Sequence, residues 1–504
     1  MTPREIASPA ELQEVMRTPY APSDQQWRAI AADLEPGVVI AGAGSGKTTL
    51  MAARVVYLVV TGRVRPDQVL GLTFTTKAAS ELRRRIRDAL QTAGALEVDD
   101  EDGDVLEPTV LTYNAYAAAL LTEHGLRIGH EPDTRLVTDA ARYQLGARVV
   151  DRFTGEVQHL TDHPPTAIQN LLALDGAMSE HLVSPDDVRR FDAEARAGFE
   201  RAVAEERAGK DRKTYREAPE KAINAIDRRA ELLQLVDGYR RLKRDLGLMD
   251  FSDQIELAAR LAREEPEVGV AERDKFRVVL LDEYQDTSVA QATMLSRLFG
   301  EGHPVTAVGD PNQAIYGWRG ASVSNILRFA ETFPPSAGRE PALHHLTVNR
   351  RSDRRILEVA NRLAEPLYAA VEQVQPLEPK EDAAEGAVTA AVFETHADEL
   401  AWLVDAVREA HTGQWSDIGV LTRDNAHAED VFDALTAADV PVEIVGLSGL
   451  LRLPEVAEIV ATLHLMHDVT ANAALLTLLN GPRWAIGPRD LRLLSARARE
   501  LAEI

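Results

Sequence analysis

The chain has 504 residues, of which 45% are hydrophobic, and it carries a net charge of −24 from 80 acidic and 56 basic residues. Two to four domains are expected at this length. The chain contains no Cys, which excludes disulfides, thiolate metal sites and a Cys nucleophile. Because it also lacks a signal-peptide pattern and an apolar run long enough to cross a bilayer, we expect a cytoplasmic protein without membrane contact.

The negative charge by itself argues against a nucleic-acid ligand, but it is unevenly distributed. Lys77 and the Arg residues between 83 and 87 predict a basic helix face, whereas residues 97–104 predict an acidic loop. A polyanion can bind a basic groove on an acidic protein, because salt screens charges beyond about 10 Å. Charge therefore leaves the ligand open.

Residues 22–27 (PSDQQW) predict a helix start capped by Ser23 or Asp24. A Gln shortly before a phosphate-binding loop can recognise adenine, because its amide both donates and accepts hydrogen bonds. We assign this role to Gln26 rather than Gln25; an ordinary surface Gln is the alternative.

Residues 38–50 (VVIAGAGSGKTTL) predict a buried strand, a Gly-rich turn and a helix. In this arrangement, backbone N–H groups and the positive end of the helix bind phosphates. Lys47 is expected to reach the β- and γ-phosphates, and Thr48 to hold Mg²⁺. The generic pattern has Gly at the position of Ala41, and an ordinary Gly-rich turn is the alternative. The predicted nucleotide-binding residues of this loop are Ala41, Gly42, Ala43, Gly44, Ser45, Gly46, Lys47, Thr48 and Thr49.

Residues 69–75 predict a second buried strand, and the strand–helix–strand unit implies a parallel sheet. Phe74 ends this strand, where open parallel sheets bind ligands; base stacking and core packing are both compatible with it. Residues 110–115 predict a third strand. The pattern from 116 to 249 is nearly all helical and charged, which indicates an insertion with solvated helix faces. Residues 249–253 are expected to return the chain to the sheet.

Residues 276–287 (FRVVLLDEYQDT) predict a buried strand that ends in Asp282 and Glu283. Adjacent strand residues point to opposite sides, so the two carboxylates can have separate roles. We assign Asp282 to Mg²⁺ and Glu283 to the deprotonation of an attacking water. An isolated acidic pair is more often a solvated turn, but a phosphate loop in the same sheet favours the catalytic interpretation.

Residues 305–321 (VTAVGDPNQAIYGWRGA) predict a strand and a loop with several chemically useful side chains. Gln313 can bond a γ-phosphate, and Arg319 can contact a nucleic-acid phosphate. Tyr316 and Trp318 offer flat faces to unpaired bases, each stack contributing about 1–3 kcal/mol. This one loop would then couple the state of the bound nucleotide to the binding of DNA.

The motifs AGAGSGKT (41–48), TFTTKAA (73–79), DEYQDT (282–287) and GDPNQAIYGWRGA (309–321) resemble, in order, those of UvrD/PcrA/Rep-type superfamily-one DNA helicases. The likeness runs from about residue 22 to the end and is weaker across 116–249. It implies an α/β fold of RecA-like P-loop NTPase parallel sheets with large α-helical insertions. Ala41, a departure from the generic pattern, matches this family.

Residues 346–352 (LTVNRRS) resemble the Asn-Tyr-Arg-Ser motif of this family, which assigns Arg351 to the γ-phosphate. Arg350 occupies the position of the family's adenine-stacking Tyr. Thr49 occupies the position of the family's Arg that stacks on the other face of the base. We therefore expect a different grip on the base, with Arg350 stacking through its guanidinium plane. Arg354 and Arg355 are expected to be solvated.

Residues 415–423 and 442–445 predict strands on either side of a helix at 426–438, and residues 446–487 resemble the start of the family's second helical insertion. The predicted domains are a first motor domain at 1–115 and 250–340, its insertion at 116–249, an incomplete second motor domain at 341–447 and the start of a second insertion at 448–504. The family's last two motifs do not occur in the sequence, which predicts a fragment of a longer protein.

The resemblance implies an ATP-dependent 3′–5′ single-stranded DNA translocase or DNA helicase of repair or recombination. Its cofactors would be ATP and Mg²⁺, and its partners single-stranded DNA and duplex junctions. The predicted catalytic residues are Glu283, Lys47, Gln313 and Arg351; the predicted metal ligands are Thr48 and Asp282; the predicted DNA contacts are Phe74, Tyr113, Asn114, Tyr316, Trp318 and Arg319.

Within this family, the Asn-Arg-Arg-Ser variant is similar to the B subunit (AdnB-like) of the actinobacterial helicase–nuclease, which implies a second motor/nuclease subunit as partner. A solitary UvrD-like repair helicase is the alternative within the class. A non-catalytic DNA-binding subunit is the alternative from another class, and the presence of both Lys47 and Glu283 argues against it.

Overall fold

The computed structural model describes residues 3–98, 105–131, 133–300, 302–340, 342–444 and 454–502. Most of the predicted acidic loop and the first residues of the predicted second insertion (446–453) lie outside these ranges. The chain divides into two compact units, residues 1–388 and 389–504. None of the helices in the described ranges has both the length and the apolar surface that a bilayer crossing requires.

A six-stranded parallel sheet in the order β10-β1-β9-β8-β2-β5 organises the first unit. Short two-stranded sheets pair β3 with β4, β6 with β7, and β11 with β12. The strands are β1 (Gly37–Ala41), β2 (Val69–Thr73), β3 (Glu97–Val98), β4 (Val105–Leu106), β5 (Thr109–Thr112), β6 (Arg135–Leu136), β7 (Leu248–Met249), β8 (Val278–Leu281), β9 (Val305–Gly309), β10 (Ala342–Leu346), β11 (Val348–Asn349) and β12 (Glu378–Pro379).

Helices cover both faces of the large sheet and form the second unit and the insertion. They are α1 (Pro9–Met16), α2 (Asp24–Ile30), α3 (Lys47–Val60), α4 (Thr76–Thr92), α5 (Tyr113–His124), α6 (Asp139–Asp151), α7 (Pro164–Glu180), α8 (Pro185–Ala208), α9 (Lys213–Asp245), α10 (Phe251–Glu264), α11 (Pro266–Lys275), α12 (Val289–Phe299), α13 (Ser324–Leu327), α14 (Phe329–Thr332), α15 (Arg354–Ala370), α16 (His396–Ala410), α17 (Asn425–Ala437), α18 (Pro454–His467), α19 (Asn472–Asn480) and α20 (Pro488–Ala502).

The central strands are buried on both faces, as their unbroken apolar runs predict for a parallel sheet. Along β1, Val39 and Ala41 pack into a core with α1 to α4, whereas Val38 and Ile40 pack into a second core with α5, α10 and α12. Successive strand side chains point to opposite faces, so one strand supplies both cores. The predicted RecA-like α/β fold is confirmed.

The insertion between α5 and α10 is helical, as predicted, apart from the short pair β6–β7. Its own core lies around Leu171, Leu233 and Tyr239. The expected return to the large sheet at 249–253 is wrong, because Asp250 accepts the N–H groups of Ser252 and Asp253 at 3.0 and 3.1 Å and starts α10 instead. The chain re-enters the sheet at β8.

The predicted start of a second motor domain at 341 also differs from the structure in one respect. Residues 342–346 form β10, which pairs with β1 along its whole length and is the edge strand of the first sheet. A short strand of five residues (ALHHL) carries no mark of which sheet it will join, so the sequence could not place it. The other predicted domain boundaries stay predictions.

In the second unit, α16 and α17 pack around Val407, Val431 and Leu435. The helix predicted at 426–438 is present as α17. The strands predicted at 415–423 and 442–445 are wrong within the described residues: Trp415–Asp417 is a 3₁₀ turn, and neither 418–423 nor 442–444 pairs with a strand. A strand requires a hydrogen-bonded neighbour, which these apolar segments do not have in the described chain.

Candidate nucleotide site and aromatic surface

The loop between β1 and α3 has the backbone of a phosphate cradle. Gly44 and Gly46 have φ values of 68° and 90°, which favour glycine. The Ser45 hydroxyl donates to the Gly42 carbonyl at 2.7 Å and closes the turn. Because α3 begins at Lys47, its free N–H groups and positive dipole end face the cradle. This arrangement suits a phosphate group.

The segment after β10 lies directly against this loop. Asn349 donates to the Ala43 carbonyl at 2.6 Å, and the Arg350 N–H donates to the Gly44 carbonyl at 2.9 Å. A Cβ added to Gly44 would lie 2.9 Å from the Cβ of Arg351. The structure thus brings Arg351 to the predicted phosphate site, with Arg350 beside it and both side chains exposed.

Gln26 lies behind the loop and is 7% exposed. Its Nε2 donates to the Ser45 carbonyl at 3.2 Å, and its Oε1 accepts the Ser23 N–H at 3.1 Å. Ser23 caps α2, as predicted, because its hydroxyl accepts the backbone N–H of Gln26 at 3.3 Å. Gln25 instead exchanges two hydrogen bonds with Thr347. Gln26 therefore supports the phosphate loop in this structure, and its role in adenine recognition stays a prediction.

The predicted catalytic side chains meet at the carboxyl ends of the strands. Lys47 Nζ lies 3.2 Å from Glu283 Oε2. Glu283 has φ 48° and ψ 42°, a left-handed conformation that a non-glycine residue adopts at a cost and that is common at functional sites. This turn directs the two neighbouring carboxylates differently, so that Asp282 is 6% exposed and the side chain of Glu283 is 33% exposed.

Asp282 has the features of a cation ligand. Its Oδ2 accepts a hydrogen bond from Thr73 at 3.3 Å, whereas its buried Oδ1 has no hydrogen-bond partner among the described residues. Burial, followed by the charge of Glu283, raises the pKa of Asp282 to about 6. A buried carboxylate oxygen without a donor is costly, and Mg²⁺, which prefers oxygen ligands, would satisfy it. The residues present therefore fit the predicted metal.

Gln313 lies in the loop after β9, where its Nε2 donates to Asp310 Oδ2 at 2.6 Å. Asp310 also caps the short 3₁₀ turn Pro311–Gln313 by accepting the N–H of Asn312. The amide of Gln313 is thus held at the end of β9, on the same edge of the sheet as Asp282 and Glu283.

Three aromatic rings form a continuous row beside this edge. The ring centroids of Phe74 and Tyr316 lie 4.5 Å apart, and those of Tyr316 and Trp318 lie 6.3 Å apart. Trp318 is 74% exposed. The structure therefore brings these three predicted DNA contacts together, and we refer to them as the aromatic row. Its faces could stack unpaired bases.

The other predicted DNA contacts differ. Tyr113 as a DNA contact is wrong: it is 1% exposed and donates to the Asp282 carbonyl at 2.8 Å. The first helical residue of α5 faces the core, and a sequence pattern cannot distinguish this direction from the solvent-facing one. Asn114 is half-buried and accepts from Gln291 at 3.2 Å. The side chain of Arg319 lies outside the described part of the structure.

Some site residues were not predicted. Thr73 bonds Asp282, Asn349 supports the loop, and Gln285 donates to Glu283 at 2.8 Å. All three lie inside the quoted motifs, next to residues that were assigned a role. Their place inside these motifs could have identified them as site residues. Their supporting role could not be predicted, because it depends on neighbours from distant strands.

Sequence comparisons agree with this geometry. The profile of the UvrD/REP helicase N-terminal domain matches residues 23–334, and that of the UvrD-like helicase C-terminal domain matches residues 344–503. The chain is 28% identical over 488 residues to the ATP-dependent DNA helicase PcrA of Leuconostoc citreum, covering 95% of this chain and 56% of that protein. It is 26% identical to DNA helicase II of Escherichia coli K12 (95% and 59%) and to the ATP-dependent DNA helicase UvrD1 of Mycobacterium tuberculosis (92% and 55%). The chain thus spans little more than half the length of these relatives.

Proposed function

The chain belongs to the UvrD/REP helicase family, and from that premise we propose that it is the motor region of an ATP-dependent DNA helicase that moves 3′ to 5′ along single-stranded DNA. The observation that carries the proposal is the common edge of the sheet. The phosphate loop, the Asp282–Glu283 pair and the aromatic row all follow the carboxyl ends of neighbouring parallel strands, where α/β sheets bind ligands.

ATP hydrolysis in this site is phosphoryl transfer to water, in which catalysis consists of positioning and charge stabilisation. Lys47 and Arg351 neutralise the γ-phosphate. The water oxygen attacks the γ-phosphorus, the bond to the ADP oxygen breaks, and Glu283 accepts the proton of the water. Because Lys47 bonds Glu283 at 3.2 Å, the lysine must turn from the carboxylate to the phosphate before Glu283 can act as a base.

Thr48 and Asp282 would hold Mg²⁺, which supplies positive charge to the phosphate oxygens when bound. The Oδ1 of Asp282, which has no partner in the part of the chain that the structure describes, supports this assignment. Thr73 orients the carboxylate through its second oxygen.

The aromatic row would hold successive bases while the nucleotide site turns over. Contacts of this kind depend on the π-face of a base rather than on its edges, so binding is expected to be indifferent to sequence. We also propose that the protein acts in the cytoplasm in DNA repair or recombination. A partner motor/nuclease subunit stays a prediction from the sequence.

The proposal is tested by ATPase assays of the full-length protein with and without single-stranded DNA. Wild type is expected to show DNA-stimulated turnover. Trp318→Ala removes one stacking face and should raise the DNA concentration for half-maximal stimulation by about 5- to 150-fold, equivalent to about 1–3 kcal/mol. Trp402→Ala, at an exposed Trp of α16, is the matched control. Absence of stimulation in wild type would favour a non-catalytic DNA-binding subunit.

A further inference from the structure

Gln285 connects the nucleotide site to the strand that precedes the aromatic row. It is 1% exposed. Its Nε2 donates to Glu283 Oε2 at 2.8 Å and to Asp286 Oδ2 at 3.1 Å, while its Oε1 accepts the backbone N–H of Asp310 at 3.1 Å. One buried amide thus joins the predicted base to the first residue after β9.

The fit between Gln285 and β9 leaves no spare room. A Cβ added to Gly309 would lie 2.3 Å from Gln285 Oε1 and 3.3 Å from its backbone N. The contact between the two motifs therefore requires glycine at position 309 for reasons of space alone. A displacement of Gln285 must be transmitted to the end of β9, because packed interiors have little free volume.

The residues that follow Gln285 hold the other end of the aromatic loop. The Thr287 carbonyl accepts the Ser322 N–H at 3.0 Å and the Asn325 side chain at 2.9 Å, and Ser288 forms a β-bridge with Ala321. The loop that carries Tyr316 and Trp318 is therefore attached at its start through Gln285 and at its end through Thr287 and Ser288.

Asp286, which accepts a hydrogen bond from Gln285, lies close to the middle of this loop. Burial raises the pKa of the Asp286 carboxyl, and the backbone N–H groups of Ile315 and Tyr316 act in the opposite direction by favouring its charged form. The carboxylate that Gln285 bonds therefore lies near the backbone of the loop that carries Tyr316.

At the nucleotide end, Gln285 and Lys47 donate to the same oxygen of Glu283. When a γ-phosphate takes Lys47 away, the hydrogen bonding of that oxygen changes and Gln285 remains beside it. We propose that Gln285 is a positioning residue that couples the state of Glu283 to the loop carrying the aromatic row, an inference that rests on the proposed function.

A Gln is the side chain this position needs, because one end of its amide donates while the other accepts. Met has a similar length and can form none of the three hydrogen bonds of the Gln285 amide. Glu would add a third carboxylate beside Glu283 and Asp286 and would lack the donor.

The test measures coupling in both directions on the full-length protein. Nucleotide and DNA affinities that are linked must change each other by the same factor. The affinity for a fluorescent oligo(dT) is measured with and without a non-hydrolysable ATP analogue, and the affinity for a fluorescent ATP analogue is measured with and without oligo(dT). DNA stimulation of the ATPase, a kinetic ratio to which this equality does not extend, is measured in parallel. Wild type should show a nucleotide-dependent change of about fivefold or more. Gln285→Met should reduce both ratios to below about twofold, and Gly309→Ala should do the same by displacing Gln285.

Gln254→Met is the matched control, since Gln254 is a buried glutamine (4% exposed) of α10. It should keep both wild-type ratios. A purely structural role for Gln285 would lower the affinities without changing their ratio. Retained binding of a fluorescent ATP analogue shows that Gln285→Met is folded. Wild-type ratios in that folded variant would overturn the coupling. A wild-type ATPase that ignores DNA overturns the proposed function and the coupling with it.

Discussion

Lys243, which is buried, and Lys47, which is partly buried, have opposite surroundings. Lys243 of α9, 2% exposed, donates to the carboxylates of Asp175, Asp250 and Asp253 at 3.0, 3.2 and 2.7 Å. Lys47 of α3 donates to Glu283 at 3.2 Å beside Asp282, whose Oδ1 has no hydrogen-bond partner within the described ranges. The first lysine has an acceptor for each of its three donors, whereas the second lies among groups with unused bonding capacity.

The difference separates structural from ligand-binding charge. Around Lys243, Arg142 also bonds Asp250 and Arg240 bonds Asp175, so the cluster joins α6, α7 and α9 to α10. A buried network in which the lysine is paired with three carboxylates fixes packing. Around Lys47 the protein leaves an acceptor without a donor, which a folded chain avoids unless a ligand completes the site. Four predictions can break or sharpen this comparison.

The largest expected effect is that of Glu283→Gln on turnover. Loss of the base should lower the DNA-stimulated kcat by about 10²- to 10⁴-fold, because a positioned general base contributes about that much. Nucleotide affinity should be retained, since the amide keeps the size of the side chain. Glu256→Gln, the same change at a carboxylate that bonds Ser179 in the insertion, should leave kcat unchanged. Equal losses in the two variants would contradict the comparison.

The next effect is that of Lys243→Met on stability. Removal of the lysine leaves Asp175, Asp250 and Asp253 without their common partner, and breaking a buried ion pair costs about 3–5 kcal/mol. Lys47→Met should cost less, because Glu283 is 33% exposed and can be hydrated in place of the pair. Urea unfolding monitored by circular dichroism compares the two. A larger loss for Lys47→Met would reverse the assignment of structural and functional roles.

A third effect concerns the pH dependence of stability in the Lys243 cluster. Burial raises the pKa of Asp253 to about 6, with the charges of Asp250 and Asp175 acting in the same direction and Lys243 against them. A carboxyl group whose folded pKa exceeds its unfolded value of 3.8 stabilises the fold below pH 3.8, and this contribution is lost as the pH rises through about 6.

Urea titrations measure the unfolding free energy of wild type and of Asp253→Asn. The wild-type value minus the variant value should fall by up to about 3 kcal/mol between pH 4 and pH 7. Arg240 and Lys243 are present in both proteins, so the difference reports the titration of Asp253 together with its effect on the neighbouring Asp250 carboxyl. A difference that stays constant with pH would show that the carboxyl is ionised throughout.

The smallest effect is expected for the exposed ion pairs of the insertion. Arg207 and Glu220 lie 3.0 Å apart with side chains 61% and 39% exposed. Arg207→Gln should change the unfolding free energy by less than about 1 kcal/mol, because such pairs gain little over hydrated charges. This agrees with the solvated helix faces that the sequence predicts for this region. A loss comparable to that of Lys243→Met would show that exposure does not separate the two kinds of pair.

Much of the motor core could be predicted because its signals are local. A β-branched run, a Gly-rich turn and a helix are neighbours in sequence, so residues 38–50 indicate the phosphate loop directly. The acidic pair after β8 and the loop after β9 follow the same logic, since each motif directly follows a buried strand. Parallel strands then bring these motifs to one edge.

The errors share a different cause. Tyr113 and Asn114 both follow the strand β5, yet Tyr113 turns inward to bond the Asp282 carbonyl. Residues 342–346 join the first sheet because β1 offers them a free edge. In each case the outcome depended on a partner far away in sequence.

The sequence by itself determined which residues can bind a triphosphate and activate a water, because backbone conformation and side-chain chemistry are properties of short segments. Only the tertiary structure decided that Lys47 rests on Glu283, that Gln285 joins β8 to β9, and that Phe74, Tyr316 and Trp318 form one row. Such contacts join residues that are up to 242 positions apart (316 − 74), and they form only when packing of the sheet brings its strand ends together.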